Sequence, residues 1–290
     1  MDDLVYDPAT FVSSGDYCSM KAGDSELSSI KGSKIKELPE FVTGLCNLQT
    51  LKLNACASLC ILPSGMSKMV KLRHLEIEET DILKVLPNGL GRLSTLRTLC
   101  KFPVGDENRG CKIEQVKELN LLRGKLSIKN LKRVMNVNDA WDAELHEKSD
   151  LHGLGQLKTL QTLYITYCKR LSSLPEGLGQ LKALHTLEIR RCERLSSLPK
   201  GIGQLKALQT LYITYCERLS SLPEGLGQLK ALQTLYITYC ERLSSLPEGL
   251  GQLIALQTLH IENCERFLSL PEGLRHLKAL RILEIWDCKG

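Results

Sequence analysis

Leu160-Gln-Thr-Leu163-Tyr-Ile165-Thr-Tyr-Cys168-Lys-Arg-Leu171-Ser-Ser-Leu174-Pro175-Glu-Gly-Leu178-Gly-Gln-Leu181-Lys-Ala183 is a stretch that the chain then repeats. Further copies begin at Leu184, Leu208, Leu232, Leu256 and Leu280, a period of 24 residues. The copies starting at Leu208 and Leu232 differ only in Lys230 against Ile254. Within one copy, Leu163 and Ile165 alternate with Thr162, Tyr164 and Thr166. That period of two predicts a short strand with one buried face. Cys168 is then expected to turn the chain, with Leu171 and Leu174 pointing inward. Pro175 blocks extension of a ladder. Leu178 and Leu181, three apart, suit a helical turn, and Gly177 and Gly179 limit it to a turn or two of α or 3₁₀.

One copy cannot bury its leucines alone. Stacked copies can, each touching only its neighbours, with parallel strands about 4.8 Å apart. The pattern L-x-x-L-x-I/L-x-x-C at a period in the twenties is the leucine-rich-repeat signature. The expected fold is therefore an α/β leucine-rich-repeat solenoid, or horseshoe. A parallel β-sheet lines its concave face, and short helices or 3₁₀ turns line its convex face.

Other parts of the chain keep the period less strictly. Residues 1–26 show no repeat and read as an irregular N-terminal remnant. Residues 27–101 form a divergent block, with strands at Leu48–Cys56, Leu72–Thr80 and Leu96–Leu99 and Leu-Pro recurring at Pro39, Pro63 and Pro87. Residues 102–150 interrupt it, with a loop at Gly105, Asp106, Asn108 and Gly110 and a strand near Leu126–Ile128. A helix follows Asn138 and carries Trp141 and Leu145 on one face. Residues 151–290 are the near-identical repeats. The chain stops just after a strand, so an open edge and self-association through it are expected.

Composition bounds the function classes. The 290 residues carry 43% hydrophobic content and a formal charge of only +5. No basic run interleaved with aromatics argues for nucleic acid. No apolar run is long enough for a membrane span, and the acidic N-terminus carries no signal-peptide core. Of the 12 cysteines, Cys56, Cys168, Cys192, Cys216, Cys240, Cys264 and Cys288 hold one repeat position, where a small thiol fills an inward slot and donates weakly to a carbonyl. Thr80 stands at the same position in an earlier copy. Paired C-x-x-C zinc spacing is missing, so neither a metal nor a disulfide framework is expected. A reducing, cytoplasmic setting follows.

The segments Ile35-Lys-Glu-Leu38-Pro39, Leu48-Gln-Thr-Leu51 with Cys56, Leu72-Arg-His-Leu75-Glu-Ile77 and Phe102-Pro-Val-Gly105 resemble the repeat region of plant coiled-coil-type nucleotide-binding leucine-rich-repeat resistance proteins. Ile113–Ile128 and Asp139–Lys148 resemble the segment that interrupts the repeats in that family, and Met1-Asp2-Asp3-Leu4-Val5-Tyr6-Asp7 resembles the close of its nucleotide-binding region. There Asp2 replaces the family's histidine, and the phosphate loop G-x-x-x-x-G-K-S/T is absent. The resemblance implies the sensor half of an immune receptor and carries over no nucleotide or other cofactor. Its partner would be a pathogen effector, a guarded host protein or other domains of the same receptor. After Leu151 the chain leaves the family's irregular repeats for tandem copies.

On the concave face, side chains that alternate with the buried ones project outward. The candidates for protein binding are Tyr164, Tyr167, Glu188, Arg190, Arg191, Tyr212, Tyr215, Tyr236, Tyr239, His260, Glu262 and Trp286. The threonines Thr166, Thr214 and Thr238 share that face. Six of the eight tyrosines lie on it. Tyrosine, tryptophan and arginine are the usual interface anchors, yet phenols stacked on successive rungs could equally serve to cover the sheet. Catalysis has little support. The six histidines are scattered, and His260 beside Glu262 reads better as a solvated pair than as an acid–base site. A non-enzymatic recognition module for plant defence is the expectation. A general scaffold or a non-functional duplicated fragment is the alternative.

Overall fold

The computed structural model describes residues 10–13, 16–19, 28–29, 34–105, 110–129 and 152–288. The expected helix after Asn138, the loop residues Asp106 and Asn108, and the stretch Met1–Asp7 lie outside them. The chain divides into two compact units, Met1–Leu122 and Arg123–Gly290. Among the described residues no helix is long and apolar enough to cross a membrane.

In the first unit, β1 (Thr10–Ser13) and β2 (Asp16–Ser19) pair antiparallel. From β3 (Ser28–Ser29) onward, through β4 (Thr50–Lys52), β5 (His74–Glu76) and β6 (Thr98–Leu99), pairing is parallel and sequential. β7 (Lys101–Pro103) follows. In the second unit the strands are β8 (Gly124–Lys129), β9 (Leu160–Thr166), β10 (Thr186–Arg190), β11 (Thr210–Thr214), β12 (Thr234–Thr238), β13 (Thr258–Glu262) and β14 (Ile282–Trp286). They form one parallel sheet in chain order. Register is fixed by the period: Leu187, Leu211 and Leu235 sit side by side, as do Ile189, Ile213 and Ile237. A slip of one residue would turn every leucine to solvent. This is the leucine-rich-repeat solenoid that the period predicts.

Each copy buries the same set. In the copy from Leu184, Leu184, Leu187, Ile189, Cys192, Leu195, Ile202 and Leu205 are wholly inaccessible. Side chains inside such a core are close-packed. The thiols of Cys192, Cys216, Cys240 and Cys264 are equally sealed. Each lies near the carbonyl two residues back, at 3.7 Å for Cys192 and 3.6 Å for Cys240. Hydrogen bonds among neighbouring thiols, with burial, push Cys192 and Cys240 well above the usual thiol range. Burial pushes the Cys111 thiol in the first unit up to about 12. Thr80, in the same slot as Cys56, donates its hydroxyl to Ile77 O at 2.7 Å. Hydroxyl and thiol thus perform one role.

The turn after each strand is not made at the cysteine, where the sequence reading put it, but one residue earlier. Tyr167, Arg191, Tyr215, Tyr239, Asn263 and Asp287 have φ between 49° and 59°, in the left-handed region. Ala55 and Glu79 do the same in the first unit. A cysteine one step later can then point inward with ordinary backbone.

Opposite the sheet, every Pro-Glu-Gly segment opens a short 3₁₀ helix, as at Glu176–Gln180 and Glu224–Gln228. The amide of Gly201 donates to the Glu176 carboxylate at 2.6 Å, and that of Gly249 to Glu224 at 2.8 Å. The glutamate of one copy therefore caps the helix of the next, which satisfies an orphan donor. In the first unit, the Ser64 hydroxyl and amide hold the Glu40 carboxyl below its usual range. At the helix ends, Lys182, Lys206 and Lys230 donate to the carbonyls of Gly179, Gly203 and Gly227 at 2.8–2.9 Å. They also reach Gln204, Gln228 and Gln252 of the following copy at 2.8–3.4 Å. Ile254 occupies the same position and is 69% exposed. Ile254→Lys restores the bond and removes an exposed aliphatic group. It should raise stability by about 0.5–1.5 kcal/mol in urea unfolding.

Candidate protein-interaction face

The sheet face away from the core presents two parallel columns in the second unit. The first column comes from mid-strand positions whose neighbours point inward. It runs Tyr164, Glu188, Tyr212, Tyr236, His260, Glu284 across successive strands. The Tyr212 and Tyr236 rings stack with centroids 5.2 Å apart, and Tyr236 meets His260 at 4.8 Å. His260 Nδ1 lies 2.7 Å from Glu284 and its Nε2 3.2 Å from Glu262. Burial, then the neighbouring Tyr236 and Glu188, push the Tyr212 phenol up. It remains a neutral hydrogen-bond donor at physiological pH.

The second column is built from the left-handed turn residues Tyr167, Arg191, Tyr215, Tyr239 and Asn263. The Tyr215 and Tyr239 rings are parallel within 3° at 4.4 Å. The Arg191 guanidinium lies between two phenols, 5.4 Å from the Tyr167 ring and 5.1 Å from Tyr215. The Tyr215 ring beside it pushes the Tyr239 phenol up. Tyr167 is 42% exposed and Tyr239 38%. A bulky residue with positive φ costs more than asparagine or glycine in the same place. Stacking and cation–π contacts return about 0.5–1.5 kcal/mol each. Asn263 shows that the fold accepts the less strained residue type at this position.

The structure brings the tyrosines, Glu188, Arg190, Arg191, His260, Glu262 and Trp286 to one face of the second unit, with thiols inside and phenols outside. Thr166, also expected to project outward, is instead only 8% exposed, and its hydroxyl and that of Thr214 are buried with no hydrogen-bond partner among the described residues. Trp286 is 59% exposed on β14, the last strand of the sheet among the described residues, where Leu283 and Ile285 are 46% and 41% exposed. The strand that the sequence reading places near Leu126–Ile128 is β8, and it adds a rung to this face whose outward residues that reading did not name. Lys125, Ser127 and Lys129 of β8 align with Thr162, Tyr164 and Thr166 of β9. The Lys125 ammonium lies 5.2 Å from the Tyr164 ring. The alternation of Leu126 and Ile128 pointed to the strand, but the interrupted period hid its register on β9. The corresponding face of the first unit is polar and self-paired. Lys52 meets Glu76 at 3.6 Å, and Asn54 donates to Glu76 at 2.8 Å. Among the described residues no group of three or more His, Cys, Asp or Glu side chains could hold a metal ion.

The match of a family model agrees with this architecture. The model of the leucine-rich repeat region family matches residues 28–166 and 125–221. A protein of Arabidopsis thaliana named for disease resistance is 51% identical over 125 residues, which is 43% of this chain and 9% of that protein. The chain thus spans a small part of that relative's length. Among solved structures, the leucine-rich repeat domain of the type III effector XopL aligns over 70% of this chain and 73% of its own, at 19% identity and a TM-score of 0.47. An internalin from Listeria monocytogenes aligns over 88% and 85%, at 16% identity and a TM-score of 0.39. The family model covers more than half of the chain, and the chain belongs to the leucine-rich repeat region family.

Proposed function

We propose that the chain is a non-enzymatic protein-recognition module, the sensing or autoregulatory part of a plant immune receptor acting in the cytoplasm. Its partner is a pathogen effector, a guarded host protein or another domain of the same receptor. The role in defence is supported by the 51% identity to a protein named for disease resistance. Thiols sealed in the core at one repeat position, as at Cys192, Cys216 and Cys240, support a reducing compartment. The recognition face is supported by one observation above all: tyrosine and arginine at strained turn positions that asparagine fills at lower cost. Local strain of this kind concentrates at functional sites. Large rigid aromatics also give much contact area for little entropy loss.

Replacing Tyr212, Tyr215, Tyr236 and Tyr239 together with alanine tests the reading. A partner captured from plant extract by the full chain should lose at least about 2 kcal/mol of affinity, roughly thirtyfold. Circular dichroism should stay as it is, because the leucine core is untouched. A variant that folds and binds the partner as before would remove this face from the mechanism.

A further inference from the structure

Charge on the exposed face of the second unit is sorted rather than mixed. At the β8–β10 end stand Lys125, Lys129, Arg190 and Arg191, with Glu188 as their acidic neighbour. The middle strands β11 and β12 carry only tyrosine and threonine. At the β13–β14 end stand Glu262, Glu284 and Asp287, with His260 held between two of these carboxylates. A face that merely covered its own sheet would place opposite charges on adjacent rungs, where they attract. The first unit does this on its strands with Lys52 and Glu76, whereas in the second unit the paired Lys169 and Glu193, 2.8 Å apart, lie beyond the strand ends. In the second unit Arg190 and Arg191 form no ion pair among the described residues. The tyrosine strands separate the two fields by more than a hydrogen-bonding distance.

From this we infer what the recognition face takes: an extended segment of a protein laid across the strands. It carries an acidic block at one end, an apolar or aromatic centre and a basic block at the other. The acidic block meets the lysines and arginines, the centre lies on the phenol stacks, and the basic block meets the carboxylates. Six steps separate β8 from β14, about 29 Å at the usual strand spacing. About nine residues of extended chain cover that length. Complementary fields of this kind govern which partner is accepted and how fast it docks. The inference rests on the recognition reading above and deepens it.

The test uses the full chain and three labelled synthetic peptides in fluorescence anisotropy. One has the acidic, Leu-Pro-Phe and basic blocks in order. The second has the same composition with charges interspersed, and the third is the uncharged centre alone. The block peptide should bind about tenfold or more tighter than the interspersed one at low salt, with the gap closing at high salt. Lys129→Glu with Arg190→Glu should abolish the preference. Arg191 is left intact because it packs between two rings, and circular dichroism verifies folding. Equal binding of block and interspersed peptides, or no binding of either, overturns the inference. If the uncharged centre alone binds as tightly as the block peptide, and Tyr212→Ala with Tyr236→Ala removes it, charge sorting is refuted while the recognition face stands.

Discussion

Gly227→Ala should destabilise the second unit by about 3 kcal/mol or more, where glycine's helix propensity would lead one to expect a gain. Propensity alone predicts the opposite, since alanine is favoured over glycine in a helix by about 1 kcal/mol. But a Cβ built at Gly227 falls onto the backbone carbonyl of Gly249 in the next copy, far inside van der Waals contact. The same holds for Gly179 against Gly201, Gly203 against Gly225 and Gly251 against Gly273. The obstacle is backbone on both sides, so no rotamer change relieves it. The two 3₁₀ turns must move apart, and that separates the leucines that stack beneath them. Overpacking of a core costs about 1–3 kcal/mol, occasionally more, when side chains can adjust, and here they cannot. Gly44→Ala is the control, because nothing lies within 4 Å of its Cβ and it lacks a positive φ. Urea unfolding followed by circular dichroism should show a marked fall in midpoint for the first variant and a change under about 0.5 kcal/mol for the second. Equal midpoints would show that the repeats are not packed this closely.

Identical substitutions at one repeat position should differ several-fold in cost. Leu235 and Leu283 are the same residue of the repeat, on β12 and β14. Leu235 is wholly buried, whereas Leu283 is 46% exposed. Leu235→Ala leaves a cavity between two packed copies and should cost about 3 kcal/mol. Leu283→Ala removes a half-hydrated side chain and should cost under about 1 kcal/mol. Differential scanning calorimetry on the two variants measures the difference. Stability in a solenoid is a sum of unit and nearest-neighbour terms, so this ratio reports the neighbour term directly. Comparable losses would mean that burial in the stack contributes little beyond the intrinsic stability of each copy.

Much of the architecture was legible before folding. Leu163 and Ile165, two apart and repeated at 24, could only be one buried face of a strand beside its own copy. Thr80 in a cysteine slot identified that slot as small and weakly polar. Three features were not legible. The turn fell to Tyr167 and Arg191 because a left-handed residue must precede the inward thiol, and tyrosine and arginine carry no sequence sign of that conformation. Gly179 read only as a limit on the helical turn, because the carbonyl that demands it belongs to Gly201, 22 positions away. The strand near Leu126–Ile128 was read, but its outward residues were not assigned to this face, because the residues that pair it with β9 are separated from it by an interruption with no period.

Periodicity by itself therefore dictates the strand, its register and the inward set, since a two-residue alternation repeated at fixed spacing admits a single way of burying its leucines. Contact between copies was needed to reveal the closeness of the 3₁₀ turns, the stacking of Tyr215 on Tyr239 and the sorting of charge from Lys129 to Glu284. Those properties belong to pairs of residues from different copies, and they exist only once one rung lies on the next.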